Sequence, residues 1–242
     1  MKDYDIQVNI LRRPTSIDWE RCKDLAMRTM GKKWTGDEVT EAWMHRMLEC
    51  RHSPIRTLMF TIELIVPYYV SVHLVRHKFG IEHYVQSQRN DRQTQYDREL
   101  APQNAMVSHT IDANAEAVMQ ISEKRLCGMA DPMTRYVWSR VCRAIEEVNP
   151  EFVGHLHPQC ERLRHCPEHK PCGYWKKRCE DDFVEIAKSM GVELFKDLSE
   201  DIGEAGGVVL QCFDEVLPYP PTPATKYWPE DDRTNSGLFE ED

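Results

Sequence analysis

A short basic segment in the middle of the chain carries the side chains best suited to bind a charged ligand. It reads LVRHKFGIEHYVQSQRNDR from Leu74 to Arg92 and contains three arginines, one lysine and two histidines. An arginine guanidinium presents a planar fork of donors that matches phosphate and carboxylate oxygens. Ser87 and the neighbouring Gln86 and Gln88 add neutral hydrogen-bonding groups. A charge run alone would most often be a solvated face, but this mixture of groups favours an anion-binding pocket.

The rest of the chain is acidic, which limits the kind of ligand. The 242 residues carry a formal net charge of −9 at pH 7. A local basic segment in a negative protein favours a small anion over a nucleic acid, because nucleic-acid binding uses broad basic surfaces. We therefore expect a small-molecule ligand and no nucleic-acid partner.

Hydropathy and cysteine usage bear on the cellular setting. No apolar run approaches the roughly 20 residues that a membrane span needs, and the first ten residues lack a signal-peptide hydrophobic region. Nine cysteines form an odd set, which is typical of reduced thiols. We expect a cytoplasmic protein without membrane association.

Periodicity predicts alternating strands and helices around the basic segment. In the predicted strand at 81–89, Ser87 and Arg89 would share one face. The helix after Pro67 would end near Arg76 and His77, where cations suit the helix dipole. The predicted elements are a strand at 4–11, a helix capped by Thr15, a helix opened by a capping box at 35–38, a buried strand at 59–66, a helix after Pro67, a strand at 81–89, a loop at 93–108, and helices at 113–129, 132–149 and 175–190.

The helix predicted at 113–129 contains a second candidate binding residue. Asn114, Val118, Ile121 and Arg125 fall on one stripe of that helix. A partly buried arginine at the end of an apolar stripe needs an anionic partner. Arg125 is therefore a further candidate for binding an anion.

Together these residues resemble the flavin-dependent thymidylate synthase family. Its signature is Arg-His-Arg, seven or eight residues, then Ser, one residue and Arg; here Arg76-His77-Lys78 is followed after eight residues by Ser87-Gln88-Arg89. A His-Ser-Pro segment similar to the family's precedes it at 52–54. The family also has an Asn followed eleven residues later by an Arg, which matches Asn114 and Arg125. The resemblance covers roughly residues 45–140.

The sequence departs from the family pattern at four places. Lys78 replaces the second Arg of the signature, and Val85 lies where the family often has Glu. Arg56 stands where the family usually has Glu, and Glu116 stands where it has Arg. The helical segment between the two motifs is also shorter than in the family.

The resemblance implies a set of site residues. Arg76 and Ser87 would be catalytic. The residues implied for dUMP are Arg76, Gln86, Ser87, Gln88, Arg89 and Arg125. The residues implied for FAD are Ser53, Arg76, His77, Lys78, Asn114 and Gln120.

The resemblance also implies a fold and a reaction. The fold would be α/β (α+β), with an antiparallel-rich central sheet flanked by helices, assembled as a homotetramer. The reaction would be reductive methylation of dUMP to dTMP, with methylenetetrahydrofolate as carbon donor and FAD reduced by NADPH as hydride carrier. Two alternatives stay open: a related enzyme that leaves a hydroxymethyl group on the pyrimidine, and a non-catalytic nucleotide-binding or structural protein.

The region after residue 156 is less informative. The segment 157–179 is rich in cysteine and histidine, and thiolates and imidazoles are zinc ligands. Cys160, Cys166 and Cys172 are the candidate ligands, but their five-residue gaps differ from those of a zinc ribbon, so we expect buried thiols rather than a metal. We predict a single domain at 1–216 and a mobile, Pro-rich acidic tail at 217–242.

Overall fold

Four strands form one antiparallel sheet in the computed structural model, which describes residues 4–92 and 97–189, without the side chains of 180 and 183–189. The predicted domain boundary at 216 and the predicted tail at 217–242 lie outside the described residues. The sheet has the order β1-β2-β4-β3 with every neighbouring pair antiparallel. The strands are β1 Gln7–Arg12, β2 Met59–Pro67, β3 Ile81–Val85 and β4 Met106–Asn114.

One face of the sheet carries the core. Along β2 every second residue is buried, and the same alternation runs along β4. The intervening residues are mostly polar, as in a sheet that packs helices on one face only. Thr61 on β2 and Asp112 on β4 show this, since they pair by a 2.6 Å hydrogen bond on the other face. The buried strand residues are Phe60, Ile62, Leu64, Val66, Val107, His109, Ile111 and Ala113.

Seven helices accompany the sheet within the described residues. Local signals explain where several begin: Thr15 and Asp18 form a capping box, and Asp131 caps a helix that opens with Pro132. Two 3-10 turns lie at Ser53–Thr57 and Pro150–Phe152. The helices are α1 Ser16–Thr29, α2 Glu41–Glu49, α3 Tyr68–Leu74, α4 Ala115–Arg125, α5 Pro132–Val148, α6 Gln159–Leu163 and α7 Tyr174–Ser189.

Two tryptophans anchor the helices on the sheet. Trp19 of α1 packs edge-on to Trp43 of α2 and contacts Phe152, which in turn packs edge-on to Phe60 of β2. Trp138 of α5 is fully buried, and its indole N–H donates to the Ser122 hydroxyl of α4 at 2.9 Å. Edge-to-face aromatic packing and satisfied indole donors are typical of well-ordered cores.

The predicted fold class is confirmed: a mixed α/β protein with an antiparallel sheet flanked by helices. Several predicted boundaries are wrong. The loop predicted at 93–108 ends where β4 begins at Met106, and the helix predicted to start at Ala113 starts at Ala115, after the Asn114 cap. The strand predicted to reach Arg89 ends at Val85, and α2 is capped by Thr40 instead of starting at 35–38. In the described part of the chain, no helix has the length and apolar character of a membrane span.

Candidate functional site

Arg125 joins the two segments that carry the sequence motifs. It is the last residue of α4 and is partly buried. Its Nε donates to His77 Nε2 at 3.0 Å, and its Nη2 donates to the main-chain oxygen of His73 at 2.6 Å. The structure therefore brings Arg76, His77 and Arg125 together, although about 50 residues separate them in sequence.

The charges around Arg125 favour an anion. Burial lowers the pKa of Arg125, and the nearby cation Arg76 lowers it further, while Asp131 acts in the opposite direction. Burial also lowers the pKa of His77 to about 4, with further contributions from Arg125 and other neighbouring cations. His77 is thus neutral at pH 7, which fits its role as acceptor for Arg125. A negative ligand would relieve the repulsion between the two guanidinium groups.

Two cationic side chains adjoin His77, the partner of Arg125, in the sequence. Arg76 and Lys78 are exposed in the turn between α3 and β3, on either side of His77. This turn follows the C-terminal end of α3, as the sequence predicts, where the helix dipole favours positive charge. Both side chains are therefore accessible to a ligand from solvent.

A chain of hydrogen bonds through His83, His109 and Ser71 links the turn to the sheet and to α3. His83 Nε2 donates to the His77 carbonyl at 2.8 Å, because a carbonyl can only accept. His83 Nδ1 lies 2.9 Å from His109 Nε2, and His109 Nδ1 lies 3.1 Å from the Ser71 hydroxyl, so these side chains form one hydrogen-bonded chain. Burial, and secondarily His83, lower the pKa of His109 to about 4, which keeps it neutral.

The histidine chain was missed by sequence reasoning. His83 on β3 and His109 on β4 lie on adjacent antiparallel strands as diagonal neighbours, since His83 pairs with Ile111 and Val85 with His109, and β4 was not predicted as a strand. Alternation was the available signal, since His109 occupies a buried position in β4 between Val107 and Ile111.

Asn114 touches the turn through its close contact with Gly80. The Asn114 main-chain N–H donates to the Gly80 carbonyl at 2.9 Å, and its side-chain oxygen caps α4 by accepting from Ala117 N–H at 2.9 Å. Gly80 has φ +70°, and a Cβ at this position would lie 2.4 Å from Asn114 Nδ2. This predicted FAD residue therefore lies directly beside the Arg76–Lys78 turn.

The remaining predicted FAD residues lie around the start of α4. Ser53 is exposed at the beginning of the 3-10 turn, and Gln120 is exposed on α4. Between these positions, Arg56 and Glu116 form an ion pair. The two departures from the family pattern thus face each other with their charges exchanged relative to the Glu and Arg that the family has.

The other half of the signature follows β3 in the chain. Arg76 precedes that strand, whereas Ser87 and Arg89 come after its last residue, Val85. Arg89 is bound through both nitrogens of its fork to Asp91, at 2.9 and 2.8 Å, and it is exposed. Gln86 continues the pairing of β3 with β4 through Ser108. Within one chain, the predicted dUMP residues therefore form two groups.

Comparison with known proteins gives little beyond the fold. No protein-family model matches the sequence, and no curated protein matches it. One solved structure with a similar fold is a UMP/dUMP methylase, PolB, from Streptomyces cacaoi, bound with 5-Br dUMP. The match has 15% identity and a TM-score of 0.49, and it covers 61% of this chain and 92% of that one. At this level of likeness, neither family membership nor function follows from the match.

Proposed function

We propose that the protein binds dUMP and converts it to dTMP by reductive methylation, with methylenetetrahydrofolate as the carbon donor. The observation that supports this most is the pair of hydrogen bonds from Arg125 to the segment of His73 and His77. The resemblance assigns Arg76 and Arg125 to one nucleotide site from two motifs that are remote in sequence. Their meeting in the fold is what a shared site requires.

The chain's own groups would bind and orient the nucleotide. Arg125 is held by His77 and the His73 carbonyl, and its Nη1 makes no hydrogen bond within the described part of the chain. A guanidinium fixed in this way loses little side-chain entropy when it binds an oxyanion. Arg76 would stabilise negative charge that develops on the pyrimidine ring, because preorganised donors act where charge appears.

The donors near the turn fit the FAD that the resemblance implies. Arg76 and Lys78 are exposed cations suited to a diphosphate, and Ser53 and Gln120 offer an exposed hydroxyl and amide. When bound, FAD would supply the hydride for the transferred carbon after reduction by NADPH. The protein's part is to hold and orient the reactants, which needs no cysteine nucleophile.

The positions of Ser87 and Arg89 bear on assembly. Both follow β3, whereas Arg125 is bound to the turn that precedes β3, and the homotetramer implied by the resemblance would allow a second copy to supply Ser87 and Arg89. The ion pair of Arg89 with Asp91 is exposed, and such pairs are worth only about 0–1 kcal/mol. A phosphate could therefore displace Asp91.

The test is a titration of dUMP into the flavin-containing protein, followed by the flavin spectrum. Charge-assisted contacts of about 1.5–3 kcal/mol predict that Arg125→Ala and Arg89→Ala each weaken dUMP binding by about 10–150-fold. Arg125→Lys should lie between, since it keeps charge but loses the fork. Asp91→Asn should strengthen binding up to about fivefold by releasing Arg89. Arg28→Ala, which removes an exposed arginine of α1, is the matched control.

Two outcomes would overturn the proposal. Purified protein that does not bind FAD would contradict the proposed cofactor. Unchanged dUMP affinity in both alanine variants would contradict the proposed binding site. Thermal melting of each variant separates loss of binding from loss of folding. Mass spectrometry of the product separates a methyl from a hydroxymethyl group, and binding without turnover would indicate the non-catalytic alternative.

A further inference from the structure

Four cysteines from three separate parts of the chain line one recess. Cys127 follows α4, Cys160 lies in α6, and Cys166 and Cys172 lie in the connection to α7. All four line the same recess, together with Tyr174 and Trp175 of α7. Cys127 lies 33 positions before Cys160 and comes into the group only through the fold.

The four thiols also act on one another electrostatically. Burial raises the pKa of Cys160 to about 12, and Cys127, Cys166 and Cys172 all add to that rise. Burial likewise raises the pKa of Cys127, with contributions from Cys172 and Cys166. All four are free thiols in the structure.

Close packing also holds this arrangement. A Cβ on Gly128 would lie 2.7 Å from the Cys172 sulfur and 3.2 Å from its Cβ. Contacts under 3.0 Å are essentially never made by real Cβ atoms, so glycine at 128 lets Cys172 approach the end of α4.

We propose that Cys127, Cys160, Cys166 and Cys172 hold a metal centre through their thiolates. Four cysteine sulfurs are the ligand set of structural zinc sites and of iron–sulfur clusters. The recess has a volume of about 10 Å³, close to the space for one water molecule, which suits a single zinc ion better than a cluster. In the described residues, no three His, Cys, Asp or Glu side chains yet converge as ligands of one ion. Each cysteine has one side-chain torsion with three staggered positions, and binding would require rotation of these side chains towards one ion.

Such a centre would connect the C-terminal helices to the end of α4. Cys127 is two residues after Arg125, while Cys160 and Cys172 lie in α6 and just before α7. Other interactions in this region include the ion pair of Glu123 of α4 with Arg162, the hydrogen bond from Lys124 to Gln159 at 2.7 Å, and the hydrogen bond that the Tyr174 hydroxyl donates to Glu161 at 2.6 Å. The centre would be a structural cross-link, and it does not depend on the proposed reaction.

The test is metal analysis of the full chain purified without air. We expect about one zinc per chain, which would support a mononuclear centre; iron with acid-labile sulfide would support the same thiolate centre holding a cluster. Cys127→Ser and Cys160→Ser should each lower the metal content several-fold. Cys179→Ser should leave it unchanged, because Cys179 lies in α7 of the same region but does not line the recess. Gly128→Ala, which displaces Cys172, should also lower it.

Other results would overturn the proposal. Folded wild-type protein that contains neither zinc nor iron would do so, whatever the variants show. Equal metal content in Cys127→Ser and wild type would also contradict it, as would disulfides among the four cysteines found by thiol counting in denaturant. None of these results depends on flavin or dUMP binding, so they leave the proposed reaction untouched.

Discussion

Arg56 contacts the carboxylate of Glu116 from the 3-10 turn that precedes β2. The Glu116 side chain is 17% exposed and lies in the first turn of α4, where the helix dipole favours a negative charge. The Arg56 side chain is 59% exposed, and its hydrogen bond to Glu116 raises its pKa. A family pattern with Glu at the first position and Arg at the second would make the same contact with opposite signs. Two departures from that pattern thus reduce to one exchange of charge.

We expect the exchange to be visible in a double-mutant cycle. Arg56→Glu and Glu116→Arg should each lower the melting temperature by a few degrees, because each puts like charges together at this contact. The double variant should recover most of the loss, since it restores an ion pair with the family's signs. Equal and additive losses in the double variant would show that the two side chains do not interact.

Arg125 was predicted from the sequence only in part. Its position at the end of an apolar stripe indicates a partly buried guanidinium, which the structure has. The predicted anionic partner is replaced within the chain by a neutral imidazole, His77, and the carbonyl of His73, and the sequence could not show this because both belong to a distant segment. The ion pair of Arg89 with Asp91, two residues further along, was also not predicted.

At the scale of elements, β4 is the main element that could not be predicted from the sequence. Its buried positions include a histidine, and Asp112 looks like a helix cap, so the segment resembles a loop followed by a helix. The true cap is Asn114, two residues later. By contrast, α1 and α5 were predictable because each opens with a strong local signal, the Thr15 capping box and Asp131-Pro132.

The contact between the residue before β3, Gly80, and the N-cap of α4, Asn114, depends on glycine at position 80. Gly80→Ala adds a Cβ at φ +70° that would clash with Asn114 Nδ2, so it combines backbone strain with a steric conflict. We expect it to lower the free energy of unfolding by about 2–4 kcal/mol, measured by chemical denaturation. The nearby Arg76–Lys78 turn should shift, which should also weaken ligand binding.

Gly154→Ala is the control for that prediction. Gly154 has φ +84° but open space where the Cβ would lie, so it reports backbone strain alone. Its expected loss is about 1 kcal/mol. If the two substitutions cost the same, the contact between Gly80 and Asn114 would have no energetic role.

At the scale of the whole molecule, local patterns indicated strands and helices and the resemblance implied an antiparallel-rich sheet, but neither predicted the topology. Burial at alternate positions of β2 indicates a strand that covers a core. The order β1-β2-β4-β3 places the last strand inside the sheet, and pairings between such distant residues leave no local signal. The predicted dUMP residues lie on both sides of the edge strand β3 in the chain, with Arg76 before it and Gln86 to Arg89 after it.

Buried ionisable groups make the stability of the molecule depend on pH. Burial is the main cause that lowers the pKa of His77, His109 and His155 to about 4 from the usual 6.5. Between these values the unfolded chain binds more protons than the folded one, so acid favours unfolding. For the fully buried His109, the cost at low pH is on the order of 3 kcal/mol. Burial of Glu146 acts in the opposite direction, because it raises that carboxyl's pKa from 4.5 to about 7, so the folded state holds the extra proton.

Because the lowered pKa values of these histidines and of His157 oppose the raised pKa of one carboxyl, the free energy of unfolding should fall as the pH decreases from 6.5 towards 4. Chemical denaturation at several pH values between 7.5 and 4.5 measures this directly. His155→Gln removes one of the titrating groups and should make the decline shallower, whereas Glu146→Gln removes the opposing group and should make it steeper. The two variants therefore shift the slope in opposite directions, which a general loss of stability would not do. A flat profile in the wild type, or slopes that move the same way in both variants, would show that these side chains titrate normally in the folded protein.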